Sequence, residues 1–400
     1  MTIAWVPYGA YWSTPFVRWQ GALAELHSLR LAAWVAGRAL AKRGIAPGVF
    51  DFGVLGMTVP QAGCFYGLPW AMGELGAAQV GGPTIMQACA TSARSIQVAA
   101  QEVAAGLATT ALVLTCDRVS NGPHIYYPAP SAPGGTGAHE NWVLDNFARD
   151  PFAGVAMVTT AENVARKHGI TREEQDDLTL ARYAQYNDAL ADDSAFLRRF
   201  MDLPFEVPDP RFGKIAARLD GDVGIQPTDP AKIRALKPVV EGGSVTYAGQ
   251  THPADGNAGL VVTTRERARE LAREQGIEIA LLGFGTARTA VAHMPEAPVP
   301  ASRRALDQAG LTIGQIDAVK SHNPFIVNDL VFAKETGFLL DAMNNYGCSL
   351  VWGHPQGPTG LRALIELIEE LAARGGGRGL FQGCAAGDTA MAVVIEVRGC

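Results

Sequence analysis

Four side chains in this 400-residue sequence could do covalent chemistry and fall at the junctions of predicted elements. Cys89, in "IMQACATSARSIQ", lies where an apolar segment gives way to small and hydroxyl residues at the start of a predicted helix. Unpaired N–H groups and the helix dipole favour thiolate over thiol at such a position, so a lowered pKa is expected there. A nucleophile of this kind also needs a base. His354, in "GHPQGPTG", sits in a glycine- and proline-rich loop just before a helix, and His322, in "SHNPF", at the end of an apolar strand. Cys384, in "QGCAAGD", stands at a strand end before a tight turn. Taken singly, a buried structural thiol or an ordinary hydrogen-bonded loop histidine is the commoner role. Four such residues at consecutive strand and helix ends, where α/β sheets gather ligands, point to one nucleophilic site.

The elements that must hold them read as α/β alternation at both ends of the chain. "LHSLRLAAWVAGRALAKRGIAP" has helical apolar spacing, and "FDFGVLGMTV", "GGPTIMQA" and "TTALVLTCD" read as strands. Between the last two, Thr91 to Gly106 reads as a helix with Ile96, Ala99, Val103 and Leu107 on one stripe. From about residue 244 the alternation returns, through "GLVVTTRERARELAREQG", "IEIALLGFGTA" and "VPASRRALDQAGLTIGQIDAVKSHN". "GPTGLRALIELIEELAARGGG" is a helix with Leu361, Leu364, Leu367, Ile368 and Leu371 inward, and "GLFQGCAAGDTAMAVVIEV" two strands about a turn. This grammar argues a mainly parallel sheet and a duplicated α/β unit.

Residues 119–243 differ. "SNGPHIYYPAPSAPGGTGAHENW" is rich in Pro, Gly and aromatics and reads as an excursion without sheet elements. "TTAENVARKHGITREEQDDLTLARYAQYN" is helical, with Thr171 as N-cap and Glu174 completing a capping box. The expected domains are 1–118 plus 244–272, carrying Cys89; an inserted loop domain, 119–243; and 273–400, carrying His354 and Cys384.

Composition narrows the function. Hydrophobic residues make up 48% and charged ones 18%, which suits a well-buried globular enzyme. The net charge of −6 comes without a basic stripe, which argues against a nucleic-acid partner. No apolar run has membrane-spanning length, and the N-terminus has no secretory pattern. Six cysteines (64, 89, 116, 348, 384, 400) lack CxxC spacing, so neither a disulfide scaffold nor a zinc motif is read. A cytoplasmic protein with free thiols is expected.

Five stretches in order resemble the thiolases: "QACATSARSIQVAAQEVAAG", "VTTAENVARKHGITREEQD", "LKPVVEGGSVTYAGQTHPADGNAGLVV", "GHPQGPTGLRALIELIEEL" and "QGCAAGDTAMAVVIE". The resemblance implies a duplicated α/β unit in five layers (αβαβα) with an inserted CoA-binding loop domain. It also implies cleavage of a 3-ketoacyl-CoA by free CoA, reversible as a Claisen condensation. Cys89 would be the acylated nucleophile, His354 its base, and Cys384 the acid or base at the α-carbon. His354 and His322 would form one oxyanion hole, and the backbone N–H groups of Cys89 and Ala386 the other. Met157, Thr251, Phe325, Phe65 and Tyr66 are candidates for the CoA or acyl pocket. CoA and acyl-CoA would be substrates, with no permanently bound cofactor and no metal. A homodimer or dimer of dimers is expected, with room for a small accessory subunit.

The sequence departs from the thiolase pattern in places. His322 replaces an asparagine, and a Cys-His-His set is also what decarboxylating ketoacyl synthases carry; Cys384 tips the reading to thiolase. "CAAG" puts Ala386 where glycine is usual, a problem only if its φ must be positive. "AGQTHPADG" brings in His252 and Pro253, which could reshape the pocket. Phe65, Tyr66, Trp70, Tyr126, Tyr127, Trp142 and Trp352 would serve either core and interface packing or a bulky acyl pocket. A decarboxylating condensing enzyme and a non-catalytic acyl-CoA-binding subunit stay open as alternatives.

Overall fold

The computed structural model describes residues 3–226 and 228–399; Cys400 lies outside them. The first α/β stretch contributes β1 (Ala4–Pro7), α1 (Ser28–Lys42), β2 (Phe52–Gly56), β3 (Thr84–Ile85), α2 (Thr91–Ala104) and β4 (Thr110–Asp117). The middle segment supplies α3 (Met157–Lys167) and α4 (Arg172–Ser194). Then follow β5 (Ala254–Thr263), β6 (Glu278–Arg288), α5 (Pro298–Ala309), β7 (Ala318–His322), α6 (Val327–Thr336), α7 (Gln356–Ala373), β8 (Gly377–Ala385) and β9 (Thr389–Arg398).

The main strands hydrogen-bond in the order β7-β8-β9-β6-β1-β5-β4-β2-β3. The two ends of this path repeat one arrangement. β2 and β4 run parallel and β4 and β5 antiparallel; β7 and β8 run parallel and β8 and β9 antiparallel. α2 leads into β4 as α7 leads into β8, so Cys89 and His354 precede equivalent helices. The duplication read from the sequence is thus present in the topology, but the sheet is mixed rather than mainly parallel: three pairings along this path are parallel and five antiparallel.

Five layers pack about three main apolar cores among the described residues, two outer ones and a central one that takes in both faces of the middle helical layer. α1 covers one outer face through Leu29 and Leu40 against Leu55, Leu112 and Leu114. α5 covers the other through Ala301 and Ala305 against Val319, Leu380 and Val394. Between the half-sheets lie α2 and α7, with Ile96, Leu364 and Ile368 among Val54, Val113 and Val393. Successive strand residues point to opposite faces, and here both faces are covered, which is why "ALVL" in β4 is continuously apolar.

α7 has no solvent face over residues 357–371, so even its charged residues are buried. Arg362 and Glu366 of α7 are each fully buried and pair at 3.0 Å. Arg362 also meets Asp222 of the middle segment at 2.6 Å, and Lys320 of β7 meets Glu366 at 3.2 Å. Tyr186 donates to Asp222 at 2.9 Å, and the Arg362 guanidinium lies 4.3 Å from the Trp352 ring centroid. Buried charges of this kind persist only when paired and hydrogen-bonded, as these are.

The capping box at Thr171 is present: its hydroxyl accepts from Glu174 N–H at 3.1 Å, and Glu174 accepts from Thr171 N–H at 2.7 Å. Other expectations change. Leu107 lies beyond the end of α2 and is 76% exposed, because glycine at 106 takes a positive φ and turns the chain out. "GGPTIMQA" yields only the two-residue strand β3. The middle segment carries antiparallel pairs, His124–Tyr127 with Ala138–Asn141 and Phe205–Pro208 with Ile215–Leu219, that its loop-like composition concealed. No described helix is long and apolar enough to cross a membrane.

Candidate active site

Cys89 is held by a turn rather than by the helix proper. Ala88 before it has φ +43°, a left-handed conformation that costs an alanine about 1 kcal/mol or more. Thr91 holds the turn, donating to Ala88 O at 2.7 Å while accepting from Gln87 N–H at 2.8 Å. The sulfur is turned inward, leaving Cys89 only 8% exposed.

His354 comes from the loop before α7. Its N–H donates to His252 O at 2.9 Å, and Gly357 N–H donates to the buried carboxylate of Asp117 at 2.6 Å. Ser92 of α2 donates to Gly357 O. A Cβ at Gly357 would sit 2.9 Å from the Asp117 oxygen, so only glycine fits this close approach. The two helices are therefore tied together at the residues beside the nucleophile and the base, and His354 Nε2 lies 3.2 Å from Cys89 Sγ.

The hydrogen-bond network assigns the tautomers. Thr359 donates its hydroxyl proton to Pro355 O at 2.7 Å, so at 2.6 Å it must accept from His354 Nδ1–H. His354 Nε2 is then a lone pair facing the thiol. The same reasoning applies to His322, whose Nδ1 lies 2.9 Å from Ser349 Oγ. The Asn323 amide is oriented by its Nδ2 donation to Asp329 at 2.8 Å, which leaves Oδ1 to accept from Ser349 at 3.0 Å. Ser349 has no further proton, so His322 Nδ1 donates and His322 Nε2 is bare. That Nε2 is buried without a partner, and the two imidazoles stack with centroids 4.0 Å apart.

Burial dominates the protonation states. It pushes the Cys89 thiol up to about 12, opposed by the backbone N–H groups of Ala386 and Cys89 itself. Burial, with His252 adding, pushes His354 down to about 3. His322 is likewise held well below the ordinary histidine range, by burial and then by His354. The pair rests as thiol and neutral imidazole. The expected lowering of the thiol pKa does not hold, because desolvation of a buried sulfur outweighs the helix terminus.

Cys384 is fully buried at the end of β8, where Asn328 of α6 donates to its sulfur at 3.2 Å. Burial and the neighbouring Cys89 push its pKa well above the usual range, while the Asn328 donation works against them.

Models of known families match nearly the whole chain. The thiolase N-terminal domain covers residues 10–266 and the thiolase C-terminal domain residues 277–397. The chain belongs to the thiolase family.

Among similar thiolases, the acetyl-CoA acetyltransferase of Syntrophomonas wolfei is 29% identical over 396 residues, spanning 96% of each chain. Acetyl-CoA acetyltransferase 2 of Arabidopsis thaliana is 29% identical, spanning 96% of this chain and 95% of its own. The Bacillus anthracis acetyl-CoA acetyltransferase structure superimposes with TM-score 0.88 at 25% identity over 99% of both chains. Human mitochondrial 3-ketoacyl-CoA thiolase, solved with CoA, has the same fold: TM-score 0.88 and 24% identity over 99% of this chain and 98% of that one.

In this thiolase the departures have specific structural outcomes. Ala386 is not among the residues of positive φ, so its N–H is presented toward Cys89 without strain. Thr251 uses its hydroxyl on Ser349 O at 2.5 Å, tying the "AGQTHP" segment to the serine that orients His322. Phe325 is buried in the same core as Cys89 and Cys384, and Met157 packs against that core. Phe65 and Tyr66 do not line an enclosed pocket of this chain: they are 95% and 71% exposed, stacked edge-to-face at the surface. Tyr126 and Tyr127 are also exposed, while Trp70 packs on His27. Trp142 donates to Thr58 O at 2.8 Å, and Trp352 is fully buried against Phe16. Thr359, Ser349, Asn328 and Asp117 escaped the sequence reading. Only Thr359, inside the histidine motif, had a motif to flag it.

Proposed function

We propose that this chain is an acyltransferase that cleaves a 3-ketoacyl-CoA with free CoA, in a reversible reaction through an acyl-Cys89 intermediate. CoA and acyl-CoA are its substrates, with no permanently bound cofactor. The observation that carries the reading is the 3.2 Å approach of the bare His354 Nε2 to Cys89 Sγ, beside the Ala386 N–H. Since neither partner ionises readily at rest, the thiol attacks the 3-keto carbonyl as His354 takes its proton, so no free buried ion pair forms. The N–H groups of Cys89 and Ala386 hold the tetrahedral oxyanion. The Cα–Cβ bond then breaks, and Cys384 protonates the departing carbanion, its thiolate stabilised by the Asn328 donation. Free CoA then attacks acyl-Cys89 and gives its thiol proton to the Cys384 thiolate, while the Cys89 thiolate that leaves takes back the proton held by His354; the shortened acyl-CoA departs and the resting protonation states are restored.

His322 enters this scheme with a lone pair rather than an N–H toward the site, so it donates to an enolate oxygen only after gaining a proton. We assign the middle segment, 119–243, to CoA binding, and Met157 and Phe325 to the acyl pocket. A cytoplasmic location fits the five free cysteines among the described residues. A homo-oligomer fits the surface beside the exposed edge of β3, where Phe65, Tyr66 and Met86 are all exposed.

The stacked His322–His354 pair favours a second reading, decarboxylative condensation. The test is a panel of acetoacetyl, medium-chain, branched and aryl 3-ketoacyl-CoAs, with malonyl-CoA alongside, run with wild type and Cys89→Ala. CoA-dependent cleavage lost in the variant, with an acyl adduct on Cys89 by mass spectrometry, is expected. Malonyl-CoA turnover without ketoacyl cleavage would replace the first reading by the second.

A further inference from the structure

Cys89, His322 and His354 are all buried and each offers a ligand atom, and these atoms lie within 4.8 Å of one another. The Nδ1 atoms of both rings donate to hydroxyls, Thr359 at 2.6 Å and Ser349 at 2.9 Å. Both Nε2 atoms therefore carry lone pairs, and that of His322 is buried without a partner. Neutral imidazoles oriented through Nδ1–H by a neighbouring oxygen are how proteins prepare histidines to bind metals.

We propose that this cluster captures a thiophilic divalent cation of the Zn²⁺ class as a thiolate–bis-imidazole complex, and that occupancy blocks acylation of Cys89. The second half rests on the acyltransferase reading above; the binding itself rests on geometry alone. Ligand atoms around tetrahedral zinc stand about 3.3–3.6 Å apart. The Cys89–His354 pair is already at 3.2 Å, and the widest separation needs to close by roughly 1 Å, a side-chain rotation. Binding replaces the S–H bond by S–Zn and releases that proton to solvent. A fourth position remains for water or an incoming thiol. Cys384 does not belong to this ligand set.

The probe is Co²⁺, then Zn²⁺, titrated into the intact chelator-stripped protein with no substrate present. One cation per chain is expected, with the absorption of a cobalt–thiolate bond. Alkylating Cys89 in the wild type should abolish it, as should Cys89→Ser. His322→Asn should weaken binding more than 10-fold, and Ser349→Ala, which keeps all the ligands, about 10- to 100-fold. The exposed pair His124 and His139, whose ring nitrogens lie 3.1 Å apart, is the competing surface site. Binding that survives Cys89 alkylation, or that disappears in His124→Asn/His139→Asn, overturns the proposal. Cation binding by a chain silent across the ketoacyl panel would sink only the acyltransferase reading. An active chain that binds no cation would sink only this inference.

Discussion

Thr359 accepts a hydrogen bond from His354 Nδ1–H at 2.6 Å and thereby decides which face of that imidazole is a base. The threonine cannot accept less, because its own proton is committed to Pro355 O at 2.7 Å. A hydroxyl five residues along the chain thus sets the state of a nitrogen that faces a cysteine in the turn before α2.

Thr359→Val removes the acceptor while keeping the shape. The ring is then free to present the wrong tautomer, and kcat should fall by about 10²-fold with KM little changed, the general-base share of the rate. Thr359→Ser should restore most of it. Steady-state kinetics on the best ketoacyl-CoA decides; equal losses in both variants would mean that the methyl group, not the hydroxyl, matters.

Asn328→Ala withdraws the donor at 3.2 Å from Cys384 Sγ. A hydrogen bond to a charged group contributes about 1.5–3 kcal/mol, so carbon–carbon cleavage should slow by roughly 10- to 150-fold. Acyl exchange between thiols, which needs only Cys89 and its base, should change much less. A uniform loss in both assays would remove Asn328 from the Cys384 half of the site.

Acid should destabilise the fold through its buried histidines. His354 is pushed down to about 3, and His322 and His252 also lie below the ordinary value of 6.5. The unfolded chain therefore binds protons that the folded chain refuses, and stability falls as pH drops below about 6.5. His354 adds a slope approaching about 1.4 kcal/mol per pH unit between 6.5 and about 3, and His322 and His252 act in the same direction. Urea denaturation between pH 7.5 and 5 should show this, with a shallower slope in His322→Asn. An unchanged slope would mean that His322 binds a proton in the native state.

How much of this could be read beforehand varies by residue. Cys89, His322, His354 and Cys384 were legible because each sits in a short motif at an element end. Their partners were not. Ser349, Asn328 and Asp117 are ordinary polar residues until the fold brings them to a ring or a sulfur, and nothing in their neighbours marks them. The thiol's direction of shift was misread because helix position can be seen in a sequence whereas burial from the opposite half cannot. Phe65 and Tyr66 look like pocket residues by type, yet they stand at the surface. The duplicated α/β unit was legible from alternation, because buried strands stay apolar on both faces, whereas its five layers came only with the resemblance to the thiolases.

Asp222→Asn should cost about 3–5 kcal/mol, since it leaves the Arg362 guanidinium, paired with it at 2.6 Å, as a buried charge short of its partner. Differential scanning calorimetry and urea midpoints measure this. A loss under 1 kcal/mol would mean that Glu366 and the aromatic faces of Phe16 and Trp352 balance the arginine by themselves.

That same pair constrains how the molecule can be made. Arg362 and Glu366 lie in the last tenth or so of the 400 residues, while Lys320 and Asp222 are synthesised before them. The innermost layer therefore cannot reach charge balance until synthesis has passed Glu366, more than 140 residues after Asp222. The first α/β half must wait with α2 alone on its inner face, and the inserted segment cannot be trimmed to a short linker without stranding a cation at the centre of the molecule.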